Sequence, residues 1–339
     1  MKAAVFYKKH DLRIEDLPIP VPKDNEVLLR VGACGICGTD MHIFNGDEGA
    51  AATPPGTVLG HEFAGEIVET GKNVSAFKAG DRVSVDPNKL CGECAFCKSG
   101  IGHFCEKMIG IGTTVNGGFA EYCTVPVSQL YRLPDALPFT EAAFSEPVSC
   151  CLHGIELCGI SAGDTVMVIG GGPIGMLMLQ LARLSGAAAC VMLEPVESKR
   201  RLAERLGADL TVDPLTEDVP AVLEQNGIGR IAAVIECVGR PETMEQAIGY
   251  AGKKSTVMLF GLTKPQDTIT VKPFEIFKKE ITLRASFINP YTQLRAVQLI
   301  GSGRLNVKDV IQRTAPLDDL PALLSDPKQF AGGKIVIVP

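Results

Sequence analysis

Residues 165–182 read Thr165-Val-Met-Val-Ile169, Gly170-Gly-Gly172-Pro173-Ile174-Gly175, then Met-Leu-Met-Leu-Gln-Leu-Ala182. A short β-branched run leads into a glycine-dense turn, and a longer apolar run of helix formers leaves it. The order is strand, tight turn, helix. Gly170, Gly172 and Gly175 satisfy G-x-G-x-x-G. In a dinucleotide-binding turn the first glycine permits the turn and the second lets the backbone approach a pyrophosphate. The third lets the helix pack on the strand, and free N–H groups of the first helical turn face the phosphates. A glycine-rich turn can also serve packing alone, so its surroundings matter. A second apolar run, Ala188-Ala-Cys-Val-Met-Leu193, ends in Glu194, 19 residues after Gly175. An acid there accepts hydrogen bonds from the adenosine ribose and repels a 2′-phosphate, which favours NAD over NADP. Lys199, Arg200 and Arg201 pull the other way, as a seat for that phosphate. The plainer reading of Arg201 is a solvated helix face.

The uncharged run from Thr165 to Ala182 is 18 residues long, the crude length of a membrane span. Four glycines and a proline in six residues at its middle break any single helix. Asp164 and Arg183 bound it closely, so no membrane span is expected.

Working outward, the chain of 339 residues has room for two domains. With 33 basic and 39 acidic residues its formal charge is −6. No basic block offers phosphate-backbone binding, and nucleic acid is not an expected partner. The N-terminus has no apolar region of signal-peptide length. Twelve cysteines then point to thiols or metal ligands in a reducing, cytoplasmic setting. Strands are expected at 3–7, 27–33, 58–68 and 82–85, making the first 130 residues mostly β. From about Gly154 strands and helices alternate. Strands at 165–169, 189–193, 210–212, 232–235, 256–260 and 282–285, with helices such as 197–207, imply a parallel, doubly wound α/β sheet. A helix over 292–302 and a last strand from Lys334 follow.

Cys91, Cys94, Cys97 and Cys105 stand as C-x2-C-x2-C-x7-C in a loop rich in Gly, Lys and Glu. Four thiolates at short spacing can close a tetrahedron around zinc, and small polar neighbours cannot bury four free thiols. Such a closed site holds a loop. The other seven cysteines outside the motifs (34, 123, 150, 151, 158, 190 and 237) read as small buried hydrophobes.

Upstream stands Gly35-Ile-Cys37-Gly-Thr39-Asp40-Met-His42, then Gly60-His61-Glu62-Phe-Ala-Gly65, and later Ser145-Glu146-Pro147. Cys37, His61, Glu62 and Glu146 offer one sulfur, one nitrogen and two carboxylates, a set from which a catalytic zinc can draw three ligands and keep one position open. Spacing alone does not settle the ligand set. Cys34 and Cys37 also fit a C-x2-C redox pair.

These motifs, in this order and along the whole length, resemble the zinc-dependent medium-chain alcohol dehydrogenases. The resemblance implies a GroES-like β-rich catalytic domain, 1–153 and 290–339, with a zinc lobe at 88–106, and a Rossmann NAD-binding domain, 154–289. It implies two zincs per chain, one structural on the four cysteines and one catalytic on Cys37, His61 and Glu62. Glu146 is a fourth ligand or bonds the zinc water. Thr39 then sits beside the reacting oxygen, His42 ends a proton relay, and Asp40 fixes the tautomer of His61. For NAD it implies Gly170, Gly172, Pro173, Ile174 and Gly175 at the pyrophosphate and Glu194 and Lys199 at the ribose. Leu262 and Phe287 lie on the nicotinamide side. Thr39 and Asp40 equally suit a helix cap, and His42 a solvated surface. A dimer or tetramer formed by extending the Rossmann sheet is expected.

Glu146-Pro147 resembles the polyol and threonine dehydrogenase branch, since simple alcohol dehydrogenases carry a cysteine there. Animal-type sorbitol dehydrogenases place an Arg-Tyr pair where this chain has Phe287-Ile288-Asn289-Pro290, and Ile288 cannot bond a polyol hydroxyl. The expected reaction is oxidation of a secondary alcohol on a sugar alcohol or its phosphate. L-threonine or a small diol is the alternative, and a non-catalytic NAD-binding redox sensor a remote one.

Overall fold

The computed structural model describes residues 1–47 and 52–339. They form two units, Met1–Ser149 with Asn289–Pro339, and Cys150–Ile288. The first crossing falls inside the helix Ser145–Cys158, where no change of composition marks it.

The first unit opens with β1 (Lys2–Lys8), β2 (Asp11–Asp16) and β3 (Glu26–Gly35). The expected strand at 58–68 is two strands, β4 (Thr57–Val58) and β5 (Glu62–Thr70). Gly60 breaks them with φ +97°, and a Cβ there would stand 2.7 Å from Phe119 and 2.8 Å from Cys34 Sγ. Only glycine tolerates both demands. Next come β6 (Arg82–Val85), β7 (Asn88–Lys89), β8 (Ile109–Gly110), β9 (Tyr122–Pro126) and β10 (Leu130–Arg132).

The second unit carries β11 (Thr165–Ile169), β12 (Ala189–Leu193), β13 (Leu210–Val212), β14 (Ala233–Glu236), β15 (Thr256–Leu259) and β16 (Thr282–Ala285). All pair in parallel in the order β13-β12-β11-β14-β15-β16. Helices cover the sheet, so its central strands are apolar runs without alternation, and β14 is buried at every position, its terminal Glu236 included. The order reverses between β11 and β14, the place where such sheets open a ligand crevice at their carboxyl ends.

The chain returns to the first unit with β17 (Ile311–Pro316) and β18 (Lys334–Val338). Its main sheet runs β10-β6-β5-β3-β18-β17, with β9 also on β3. Strand β3 is thus flanked by β5 and β18, and Gly35 lies opposite both Glu62 and Val336. Phe63, Phe119, Leu29, Leu59 and Ile67 fill the core behind it, each burial contributing about 2–3 kcal/mol. No helix among the described residues is long and apolar enough to cross a membrane.

Candidate active site

Cys37 ends the turn after β3 and caps the helix Gly38–Phe44. Its N–H donates to Asp40 Oδ2 at 2.8 Å, so Asp40 does cap the helix. The other oxygen, Asp40 Oδ1, lies 3.4 Å from His61 Nδ1, and the one carboxylate serves both groups. His61 and Glu62 follow the Gly60 break and enter β5 buried, 7% and 1% exposed. The ligand atoms of Cys37, His61 and Glu62 all lie within 4.8 Å of one another. Burial alone lowers the pKa of His61, but the charges of Asp40 and Cys37 outweigh it and hold the imidazole well above its ordinary range. His61 Nδ1 and Asp40 Oδ1 are both buried without a well-formed hydrogen bond. A sulfur, an imidazole and a carboxylate converging on one point, with excess negative charge around them, suit a divalent cation.

Glu146 sits in the first turn of the helix Ser145–Cys158, 7% exposed and outside that group of three. Thr39 is half-buried, its Oγ1 3.7 Å from Cys37 Sγ. His42, also half-buried, places Nδ1 3.1 Å from Asp47 Oδ2. The residue that sequence reasoning missed is Lys334 on β18. Its ammonium is buried, lies 2.6 Å from Glu62 Oε1 and also meets Oε2. Burial alone pulls its pKa down, yet Glu62, Cys37 and Glu146 outweigh this and keep it charged. A lysine that opens a terminal apolar strand reads as surface, and only the β3–β18 register brings it inward.

In the lobe, Cys91, Cys94, Cys97 and Cys105 also converge within 4.8 Å. Cys91 Sγ and Cys97 Sγ are 3.9 Å apart, and all four are free thiols. Backbone N–H groups of Cys97 and Glu106 lower Cys94 to about 6, and those of Glu93 and Cys94 lower Cys91. Burial pushes Cys97 the other way, up to about 12. Four thiolates so close together would need a metal dication to coexist. Of the remaining cysteines, Cys150 and Cys237 are only half-buried, against the expectation that all seven are core. Cys150 lies within the helix Ser145–Cys158, and Cys237 stands just past the end of β14.

In the second unit Gly170 has φ +100° at the end of β11, and Gly172 precedes the helix Pro173–Leu184. A Cβ on Gly175 would stand 1.8 Å from Gly170 O. One on Gly172 would meet nothing within 4 Å, which leaves room over the helix N-terminus, where Pro173 and Ile174 form the first turn. Glu194 follows β12, is buried at 4% exposure and accepts N–H bonds from Gly171 at 2.7 Å and Val196 at 2.9 Å. Arg200 is spent on Glu194 O, Pro195 O and Asp213, and Arg201 is exposed on Glu197. Lys199 is half-buried beside them. Leu262 and Phe287, 64% and 39% exposed, follow β15 and β16 at the same carboxyl end of the sheet. The strand expected at 232–235 lies one residue later, and it ends in Glu236, a second buried acid that sequence reasoning missed. Glu236 accepts from Val238 N, Gly239 N and Thr243 Oγ1 and so ties down the loop after β14.

Asn289 is 2% exposed and not available to a substrate. Its amide donates to Asp86 Oδ1 at 3.2 Å and its oxygen accepts from Asn88 Nδ2 at 2.6 Å. It anchors a segment in which Ile288 and Tyr291 both have positive φ. Burial raises Asp86 to about 6. A carboxyl whose folded pKa exceeds its unfolded value weakens the fold when ionised. That cost is absent below the unfolded value near 4, grows as pH rises, and is complete above about 6. Asp86→Asn is therefore expected to raise stability at pH 7.5 by about 1–3 kcal/mol and to change little at pH 4. Denaturant titration at both pH values checks this, and equal effects at the two would contradict it.

Residues 23–135 match the family profile described as alcohol dehydrogenase GroES-like domain, and residues 173–301 match zinc-binding dehydrogenase. The chain belongs to the zinc-dependent medium-chain alcohol dehydrogenases. This member is 35% identical to an L-threonine 3-dehydrogenase of Caldanaerobacter subterraneus subsp. tengcongensis, over 98% of this chain and 97% of that one. It is 34% identical to a D-arabitol-phosphate dehydrogenase of Enterococcus avium, over 90% and 87%. Among solved structures it is similar to a dehydrogenase of Sinorhizobium meliloti 1021 bound to NADP, with TM-score 0.96, 38% identity and coverage of 100% and 99%. The GroES-like and Rossmann folds expected from sequence are thus both present, and the medium-chain dehydrogenase is an enzyme of alcohol oxidation that uses zinc and a nicotinamide cofactor.

Proposed function

We propose that this enzyme oxidises a secondary alcohol of a sugar alcohol, or of its phosphate, to a ketone with NAD. The observation that carries the reading is the convergence of half-buried Cys37 with buried His61 and Glu62, with a second carboxylate, Glu146, buried at the head of its helix. Cys37, His61 and Glu62 would hold a catalytic zinc with Glu146 in reserve, and the four-cysteine lobe a structural one. Bound there, zinc supplies a Lewis acid to the alcohol oxygen and the nicotinamide supplies the hydride acceptor. Asp40 orients His61 through Nδ1. Thr39 Oγ1 would accept the alcohol's hydrogen bond and hand on its own hydroxyl proton as it receives the alcohol's, and His42, backed by Asp47, would end the relay by releasing a proton to water. Gly170 to Gly175 receive the pyrophosphate, Glu194 and Lys199 the ribose, and Leu262 and Phe287 flank the nicotinamide.

The buried Glu194 carboxylate, held by two backbone N–H bonds at the turn, supports NAD over NADP. Glu194→Ala is expected to reduce that preference about tenfold or more, read from kcat/KM with each cofactor. An unchanged preference would assign the choice to another residue. A dimer built on the edge of the Rossmann sheet is also proposed. All four residues of the edge strand β16 are exposed, as are Phe274 at 67% and Phe277 at 77% on the helix Pro273–Lys279. Thiolate-dependent zinc sites suit a reducing cytoplasm.

The arabitol-phosphate relative favours a polyol phosphate, and the threonine relative, matched over more of the chain, keeps L-threonine as the second reading. Initial rates of NADH formation across pentitols, hexitols, their monophosphates, L-threonine and butanediols separate the two. A polyol or its phosphate should lead by about tenfold in kcat/KM, the scale of discrimination that a few polar contacts supply. A lead for threonine would replace the first reading by the second.

A further inference from the structure

The four-cysteine lobe is gripped from outside by the segment that follows β16. Asn289, Thr292 and Gln293 of that segment are all buried. Asn88 Nδ2, on β7 at the entry to the lobe, donates to Asn289 Oδ1 at 2.6 Å. Thr292 Oγ1 donates to Ser149 O at 2.7 Å, and Gln293 Nε2 donates to Val85 O at 3.3 Å. Between these anchors Tyr291 faces outward, 60% exposed. Its phenol lies over Gly102, which opens the turn Gly102–Phe104 that leads to Cys105. A Cβ on Gly102 would stand 2.7 Å from Tyr291 Oη and 2.5 Å from Cδ1 of Leu90, the residue before Cys91. Gly102 has an ordinary φ, so this glycine is needed for close approach, and what approaches is the phenol with Leu90. The segment thus meets the lobe beside both its first and its last cysteine.

Two residues of this segment are strained. Ile288 stands at φ +46° and Tyr291 at φ +59°, a region that a β-branched or bulky side chain rarely enters. Such residues persist only where their surroundings hold them. Freed from the lobe, the segment would relax to negative φ, so it has a held and a relaxed state. Phe287, which flanks the nicotinamide in the proposed function, directly precedes Ile288. We infer that Asn289 and Tyr291 latch the segment 288–291 to the lobe, so that zinc in the lobe and NADH at Phe287 stabilise one another. This rests on the zinc reading of the four cysteines and on the place proposed for Phe287. The link is mutual: the factor by which the loaded lobe raises NADH affinity is the factor by which NADH raises zinc retention. Tyr291 is a positioning residue here, acting through the backbone of the segment. A tyrosine that only covered the lobe would slow zinc loss to the same extent with and without NADH.

The test treats the intact enzyme with dipicolinate and iodoacetamide, with and without saturating NADH, and follows the labelling of Cys91, Cys94, Cys97 and Cys105 by mass spectrometry. Zinc-bound thiolates are shielded, so these cysteines react as the lobe gives up its metal. NADH is expected to slow their labelling in the wild type by about fivefold or more. In Tyr291→Asn, whose side chain suits positive φ but is too short to cover Gly102, labelling should be about fivefold faster and should not respond to NADH. Its NADH affinity, read by fluorescence titration, should fall by a similar factor. Tyr291→Phe keeps the ring and should keep the response to NADH. Wild-type labelling that ignores NADH overturns the inference, as does a Tyr291→Asn enzyme that NADH still protects. If Tyr291→Asn does not fold, Tyr291→Gly decides by the same readings, since glycine adopts this φ without strain. Lobe cysteines that label at once without dipicolinate would hold no zinc, and the lobe reading would fall together with the inference. Cysteines shielded until the chelator acts, yet indifferent to NADH, would sink the latch alone.

Discussion

Cys37→Ala is expected to lower turnover by about a thousandfold or more while NADH binding stays within about twofold. The sulfur is one of three ligand atoms gathered within 4.8 Å, and its loss leaves an imidazole and a carboxylate, too few protein ligands for a catalytic zinc. The glycine turn lies in the other unit, so the cofactor keeps its seat. Fluorescence titration with NADH and initial rates on the same preparation separate the effects. Turnover retained within tenfold would show that Cys37 holds no catalytic metal. Joint loss of binding and turnover would point to misfolding, which a melting curve reports.

Gly175→Ala carries the second large effect. The new Cβ would stand 1.8 Å from the carbonyl oxygen of Gly170, a backbone atom that no side-chain rotation moves. Either the helix Pro173–Leu184 leaves the sheet or the turn opens. Overpacking against backbone costs about 3 kcal/mol or more, a large share of a domain's net stability. The expected result is a melting temperature lower by several degrees and loss of NADH binding. Gly172→Ala is the matched control, since its Cβ meets nothing within 4 Å. It should melt like the wild type yet bind NADH about tenfold more weakly, because the methyl occupies the approach of the pyrophosphate. If both variants melt alike, Gly175 is not the packing glycine.

The contrast between these glycines shows what was legible in the sequence. Strand β11, the turn and the helix after it carry their signals locally, in β-branched residues, spaced glycines and an apolar run, and the structure follows them residue for residue at Thr165–Ile169. The four-cysteine lobe is legible for the same reason, since its ligands lie within one loop. Lys334 is not, because its role depends on β18 pairing with β3, a partner some 300 residues away. Glu236 reads as the end of an apolar strand, and only folding turns two loop N–H groups and the hydroxyl of Thr243, on the helix Pro241–Tyr250, onto it. Asn289 shows the converse. It follows Ile288 in the stretch compared with the sorbitol dehydrogenases, where sequence assigns it no task, and Asp86 and Asn88 claim both ends of its amide. The helix Ser145–Cys158 hides because its first turn, Ser-Glu-Pro, reads as loop until Glu146 is seen at its head.

Metal removal and return test the central claim most directly, namely that zinc held by Cys37, His61 and Glu62 drives nicotinamide-dependent alcohol oxidation. The enzyme is stripped by chelator, assayed for metal, turnover and NADH binding, and then titrated with zinc. Two zinc ions per chain before stripping are expected, and the half-stripped enzyme, with the lobe still loaded, should bind NADH but not turn over. Turnover should return in step with one equivalent of zinc. Turnover that persists in enzyme lacking that zinc would contradict the account.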